Sequence, residues 1–125
     1  MIKTGIRNHL ESFTTKEHCA DSLGTGNVPV FATIMMVGLM EKTCLECVLP
    51  YLEPGQDTVG THVNVSHAKA TPAGMKVWCD SELVEIDRRR LVFRVSAFDE
   101  RGLIGEGTHE RFIIDKKRFV EKTYL

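Results

Sequence analysis

Between Val30 and Leu49 the apolar positions run almost without a break, and after Pro54 they alternate with polar ones through four successive segments. The first run holds Val30, Phe31, Ala32, Ile34, Met35, Met36, Val37, Leu39 and Met40, continues past Glu41-Lys42 to Leu45, Val48 and Leu49, and stops at Pro50. It is too long for a typical strand. The spacing predicts a helix of about twenty residues, roughly 27 Å at 1.5 Å per residue. Its first half is apolar all round and is expected to be buried, while Lys42 and Glu46 mark a polar face on the later half. Upstream, Ile6, Leu10 and Phe13 are scattered among polar residues from about Thr4 to Cys19, which predicts a strand, helped by the extended preference of Thr14-Thr15. The stretch Asp21-Ser22-Leu23-Gly24-Thr25-Gly26-Asn27 is rich in turn formers and predicts a mobile loop.

The four later segments read as strands. Thr58 to His67 alternates, which places Val59, Thr61, Val63, Val65 and His67 on one face. Met75, Val77, Cys79, Ser81 and Leu83 share a face of the next, then Leu91, Phe93, Val95 and Ala97, and a last strand spans Leu103–Ile114. Turn residues at Thr71-Pro72-Ala73-Gly74, Asp87–Arg89 and Asp99-Glu100-Arg101-Gly102 separate them. One strand, one long buried helix and four strands are most economically packed as an α+β domain, a curved antiparallel sheet of about five strands around a central helix. Gly105 and Gly107, two apart on one face, predict a seat where another backbone comes close. This is the hotdog architecture, expected as one domain over residues 1–125.

Composition narrows the function classes. A net charge of −1 with five histidines leaves no footprint for nucleic acid or an anionic membrane. Arg88-Arg89-Arg90 reads as a solvated hairpin tip or, alternatively, as a contact for ligand phosphates. No stretch approaches the ~20 apolar residues of a membrane helix, and the first residues lack a signal-peptide core, so a cytoplasmic location is expected. Cys19, Cys44, Cys47 and Cys79 are then expected as reduced thiols. Cys44-x-x-Cys47 lies late in a helical run, away from the helix N-terminus that would activate a redox pair, and no second pair follows to complete a metal site.

Three polar side chains are out of place on this scaffold. Glu41 closes the apolar run of the helix, where a carboxylate must be paired or protonated unless it lies on the polar face beside Lys42. Thr33 lies eight residues earlier, about 12 Å along the helix and roughly 80° around it, so that both can border one groove. It can equally be a helix-start hydroxyl satisfying a free N–H. His67 ends the alternating strand on its apolar face, as a structural or a catalytic histidine.

The segments VFATIMMVGLME and PYLEPG, then VGTHVNVSHAKATPAG and later GEGTHERF, resemble the fluoroacetyl-CoA thioesterase family of hotdog enzymes over roughly Val30 to Phe112. The resemblance implies hydrolysis of a short acyl-CoA thioester, with catalytic Thr33, Glu41 and His67 and substrate contacts from Gly60 and Arg111. It implies an acyl-CoA partner, a homodimer that either stands alone or pairs into a tetramer, and no metal or cofactor beyond the coenzyme A of the substrate. About six positions before the threonine the family's fluoroacetyl specialists carry an aromatic gate, where this chain has Asn27. A noncatalytic acyl-CoA-binding module is the alternative, but binding alone does not call for all three polar residues. A hotdog dehydratase would need an Asp with a His about five residues on, near the helix, and no such pair occurs there.

Overall fold

The computed structural model describes residues 1–125. Strand β1 (Arg7–Phe13) leads into a short helix α1 (Ala20–Leu23) and then the long helix α2 (Thr33–Val48). Strands β2 (Gln56–His67), β3 (Lys76–Asp87), β4 (Arg90–Asp99) and β5 (Gly102–Asp115) follow, and helix α3 (Lys116–Thr123) closes the chain. The strands form one antiparallel sheet in the order β1-β3-β4-β5-β2, with α2 packed on its concave face. No helix is long and apolar enough to cross a membrane.

The expected helix is real but shorter at its start. Val30 to Ala32 stay extended because the Phe31 and Ala32 N–H groups donate to the carbonyls of Thr71 and His18. Nor is the first half of α2 buried all round. Met36, Leu39 and Met40 are buried against the sheet, whereas Ile34 is 53% exposed and Thr33 and Gly38 are open to solvent. The expected loop from Asp21 contains α1, which Gly24 ends in the left-handed conformation.

The core joins Met36, Met40, Cys44 and Val48 of α2 to Val77, Leu83, Leu91, Phe93, Val95 and Ile104 of the sheet. Gly105 is the seat for the helix: a Cβ there would lie 2.6 Å from Met36 Sδ and 2.5 Å from the Ser66 carbonyl oxygen. Gly107 instead lets β2 approach, since its missing Cβ would meet the backbone of Asn64 and Val65. All four cysteines are buried free thiols, and burial pushes Cys44 and Cys79 up, the latter to about 11. They are inert packing groups. At the β3–β4 turn Arg88 takes a positive φ of 58°, and Arg90 pairs with Glu85 and Glu110 on the outer face.

One expectation about β2 needs correction. Its register against β5 slips between Gly60 and His62, so Thr61 is an extra residue in a bulge. Beyond the bulge the alternation changes phase. Thr58 and Gly60, opposite buried Ile113 and Arg111, share the inner face with Val63, Val65 and His67. Val59 points the other way. Seven residues separate Gly60 from His67, an odd number that would put them on opposite faces of a regular strand. The bulge brings both to the helix side.

Candidate active site

Two groups of polar side chains lie along α2, one at its start and one two turns later. At the start, Thr33 Oγ1 is 2.8 Å from Nδ1 of His67. Helix α2 supplies the threonine at its first position and β2 supplies the histidine at its last. The residue before the helix, Ala32, has no side chain that caps it, and the Thr33 hydroxyl is directed to the imidazole rather than to a backbone amide. The N–H groups of Thr33 and Ile34 consequently take no hydrogen bond within the chain. Free amides at a helix start carry partial positive charge and suit an anionic oxygen.

His67 is half-buried, and its Nε2 is shielded from solvent without a hydrogen-bond partner. A buried polar atom without a partner costs about 1–3 kcal/mol, and this one lies beside a cavity from which a bound molecule can reach it. Burial holds the imidazole below its ordinary value, so the neutral ring that accepts a proton is the resting form. The pair borders a cavity of about 450 Å³ whose walls include Val28, Val30, Phe31 and Ala32. Asn27 is exposed and does not line it.

The second group surrounds Glu41. Its carboxylate is half-buried in a crevice of about 230 Å³ lined by Gly38, Lys42, Leu45 and Arg111. Gly60 makes the approach possible: a Cβ at this position would lie 3.5 Å from Glu41 Oε1, 3.3 Å from Arg111 Nη1 and 3.2 Å from His109 Cε1. Arg111 is only 7% exposed. Its Nε donates to Thr58 Oγ1 at 2.8 Å, Nη2 to the Thr58 carbonyl at 3.0 Å, and Nη1 to His109 Nε2 at 3.1 Å. Burial lowers the Arg111 pKa and the Glu41 charge raises it, the balance expected of a buried cation facing a carboxylate.

The structure therefore unites Thr33 with His67, and Glu41 with Gly60 and Arg111. It does not bring all five into one group within a single chain, because Thr33 and Glu41 remain about 12 Å apart along the helix axis. Of the settings open to Glu41, paired, protonated or on the polar face beside Lys42, the structure gives an intermediate one: half-buried, next to Lys42 and facing Arg111 across the crevice, with no side-chain hydrogen bond or ion pair. The residue that sequence reasoning missed is His109, 1% exposed and fully engaged. Its signal was present, since His109 and Arg111 are two apart on one strand and must share a face.

The family description of fluoroacetyl-CoA-specific thioesterases matches residues 14–117. The fluoroacetyl-CoA thioesterase of Streptantibioticus cattleyicolor is 50% identical over 93 residues, 74% of this chain and 67% of that protein. The solved structure of the fluoroacetyl-CoA thioesterase FlK superposes with a TM-score of 0.92 at 38% identity, covering 99% of this chain and 96% of that one. Mutants of that enzyme have been solved with fluoroacetate and CoA and with acetyl-CoA. A thioesterase superfamily member from Thermus thermophilus superposes with a TM-score of 0.90 at 32% identity, covering 99% and 91%. The matched residues 14–117 make up most of the chain, and the chain belongs to the fluoroacetyl-CoA-specific thioesterase family of hotdog proteins.

Proposed function

We propose that this chain is an acyl-CoA thioesterase that hydrolyses short acyl-CoA thioesters to the free acid and coenzyme A. The observation that carries the reading is the Thr33–His67 hydrogen bond, with the orphaned Nε2 of a neutral imidazole beside an apolar cavity. Glu41 attacks the thioester carbonyl to give a transient anhydride, or activates water as a general base. His67 takes up the proton released by the attacking water and passes it to the departing thiolate. Thr33 orients the ring, and the free N–H groups of Thr33 and Ile34 stabilise the oxyanion. Arg111 and Gly60 contact the substrate beside Glu41. These residues supply the proton transfers themselves, so the chemistry calls for no metal or further cofactor.

The site is completed by a second copy of the chain. β2 is an edge strand, exposed from Gly60 to Asn64, with apolar Val63 39% open in its middle. An exposed edge of this kind is a pairing surface. A twofold axis between two antiparallel β2 strands near Val63 brings the His67 end of one strand to the Thr58–Gly60 end of the other, beside Glu41. The same pairing covers the exposed start of α2. The working unit is then a homodimer with two sites, each taking Glu41 and Arg111 from one subunit and Thr33 and His67 from the other. Four free thiols suit a reducing compartment, and we place the enzyme in the cytoplasm.

The test is thiol release from a panel of acyl-CoAs by the wild type and by two variants. His67→Ala and Glu41→Gln are each expected to lower kcat on the order of 10²-fold or more, with the fold intact by circular dichroism. Unchanged turnover in both would remove them from the chemistry.

A further inference from the structure

His109 is buried beside Gly60 and Arg111, and both of its ring nitrogens are committed. Nδ1 lies 2.8 Å from the carbonyl oxygen of His62 and Nε2 lies 3.1 Å from Nη1 of Arg111. A carbonyl only accepts and a guanidinium only donates. The proton of this ring must therefore reside on Nδ1, and Nε2 must be a bare acceptor. No other tautomer satisfies both neighbours, and a doubly protonated ring would set N–H against N–H at Arg111. His62, which supplies the fixing carbonyl, stands at the β2 bulge, directly after the extra residue Thr61.

The consequence falls on Arg111. A guanidinium has five N–H groups in a rigid fork. Two are anchored by Thr58 and one by His109, which fixes the plane of the fork and leaves one N–H on each terminal nitrogen. Arg111 forms a wall of the crevice that also holds Glu41. Without His109 the Nη1 N–H that it accepts from would be buried with no acceptor, and the carboxylate facing it across the crevice is Glu41.

We propose that His109 is a positioning residue for the thioesterase reaction: with its proton fixed on Nδ1 by the His62 carbonyl, it holds Arg111 so that the guanidinium addresses the substrate instead of clamping Glu41. The inference rests on the reading of Glu41 and Arg111 as parts of the acyl-CoA site.

The experiment compares the wild type, His109→Leu and His109→Gln for kcat/KM on acetyl-CoA, alongside isotope-edited NMR of the imidazole nitrogens of the wild type. Leucine fills the space and removes the acceptor, whereas glutamine keeps a carbonyl able to accept from Nη1. His109→Leu is expected to lose about 10- to 100-fold in kcat/KM, the effect of one hydrogen bond to a charged group, and His109→Gln to recover most of it. NMR is expected to show the proton on Nδ1. Wild-type activity in a folded His109→Leu, equal loss in both folded variants, or a proton on Nε2 would each overturn the proposal. If the leucine variant fails to fold, the tautomer and the glutamine variant decide. A wild type that hydrolyses no acyl-CoA, with the Nδ1 proton in place, would instead overturn the functional reading and leave the His109 geometry standing.

Discussion

Replacing Gly60 by alanine adds one methyl group at the closest point of the Glu41 group, and its effect can be worked from distances. The new Cβ would lie 3.2 Å from His109 Cε1, 3.3 Å from Arg111 Nη1 and 3.5 Å from Glu41 Oε1. Comfortable carbon contacts begin at about 3.5 Å, so the first two are short by a few tenths of an ångström. His109 is pinned at both nitrogens and Arg111 at three, so neither yields freely. Gly60 does not have positive φ, so the backbone accepts alanine without strain. The stability cost should be about 1 kcal/mol or less, because overpacking by one methyl is partly relieved toward the open crevice. Catalysis should suffer more. A shift of this size at the Arg111 fork or Glu41 misplaces groups that act by orientation, and about 10- to 100-fold in kcat/KM is expected. The assay is thiol release from acetyl-CoA together with a melting curve. A variant with wild-type kcat/KM would show that the spacing at Gly60 does not matter and refute the reasoning; a collapsed Tm would show that the site bears more of the stability than argued.

Other outcomes can be checked more briefly. Thr33→Ala should cost less activity than His67→Ala, since one orienting hydrogen bond is lost, and Thr33→Ser should keep most of it; equal losses in all three would give Thr33 a larger role. Folding lowers the His67 pKa from its ordinary 6.5, so the neutral base, and any stability gained by keeping it neutral, is present above that pH and lost as pH falls through the lowered value. The acid limb of kcat/KM attributable to His67 should therefore lie below 6.5, and a limb above 7 that vanishes in His67→Ala would contradict this. Gly105→Ala drives a Cβ to 2.5 Å from the Ser66 carbonyl and should destabilise the fold by about 1–3 kcal/mol, lowering Tm by roughly 5–15 °C. Asn27 stands exposed outside the cavity wall and gives the cavity no aromatic lid, so acetyl-CoA and fluoroacetyl-CoA, each corrected for its spontaneous hydrolysis, should differ by less than about 10³ in kcat/KM. A larger preference would mean that another residue supplies the gate.

Where side-chain period and backbone geometry coincide, the sequence is a good guide. β3 keeps Val77, Cys79, Ser81 and Leu83 on one buried face, and Thr33–Val48 of the apolar run is one helix. Extrapolating the same alternation through β2 fails at Thr61, because a bulge changes no residue type that a period-two reading detects; only Gly60 hints at it. The error was consequential, since the bulge is what sets Gly60 and His67 on the same side. The start of α2 departs from the apolar pattern because tertiary hydrogen bonds to His18 and Thr71 keep Phe31 and Ala32 extended despite an unbroken apolar run. Helix α3 lies beyond the last predicted strand, and Asp115 caps it by accepting from the Arg118 N–H at 3.0 Å. Thr33, Glu41 and His67 were found through their polarity in apolar settings and through resemblance. Their division into two groups could not be read from spacing along one helix. His109 escaped because a histidine on a buried strand face reads as packing until its two hydrogen-bond partners are seen.

The central claim is that Glu41 of one subunit works with Thr33 and His67 of the other. Subunit mixing tests it directly: His67→Ala and Glu41→Gln dimers, each nearly inactive alone, are unfolded together, refolded and assayed on acetyl-CoA. Random pairing makes half of the dimers mixed, and each mixed dimer has one site with both native residues, so activity should return to about a quarter of wild type. If the mixture, shown to contain mixed dimers, stays as inactive as its parents, Glu41 and His67 act within one chain and the shared site is wrong.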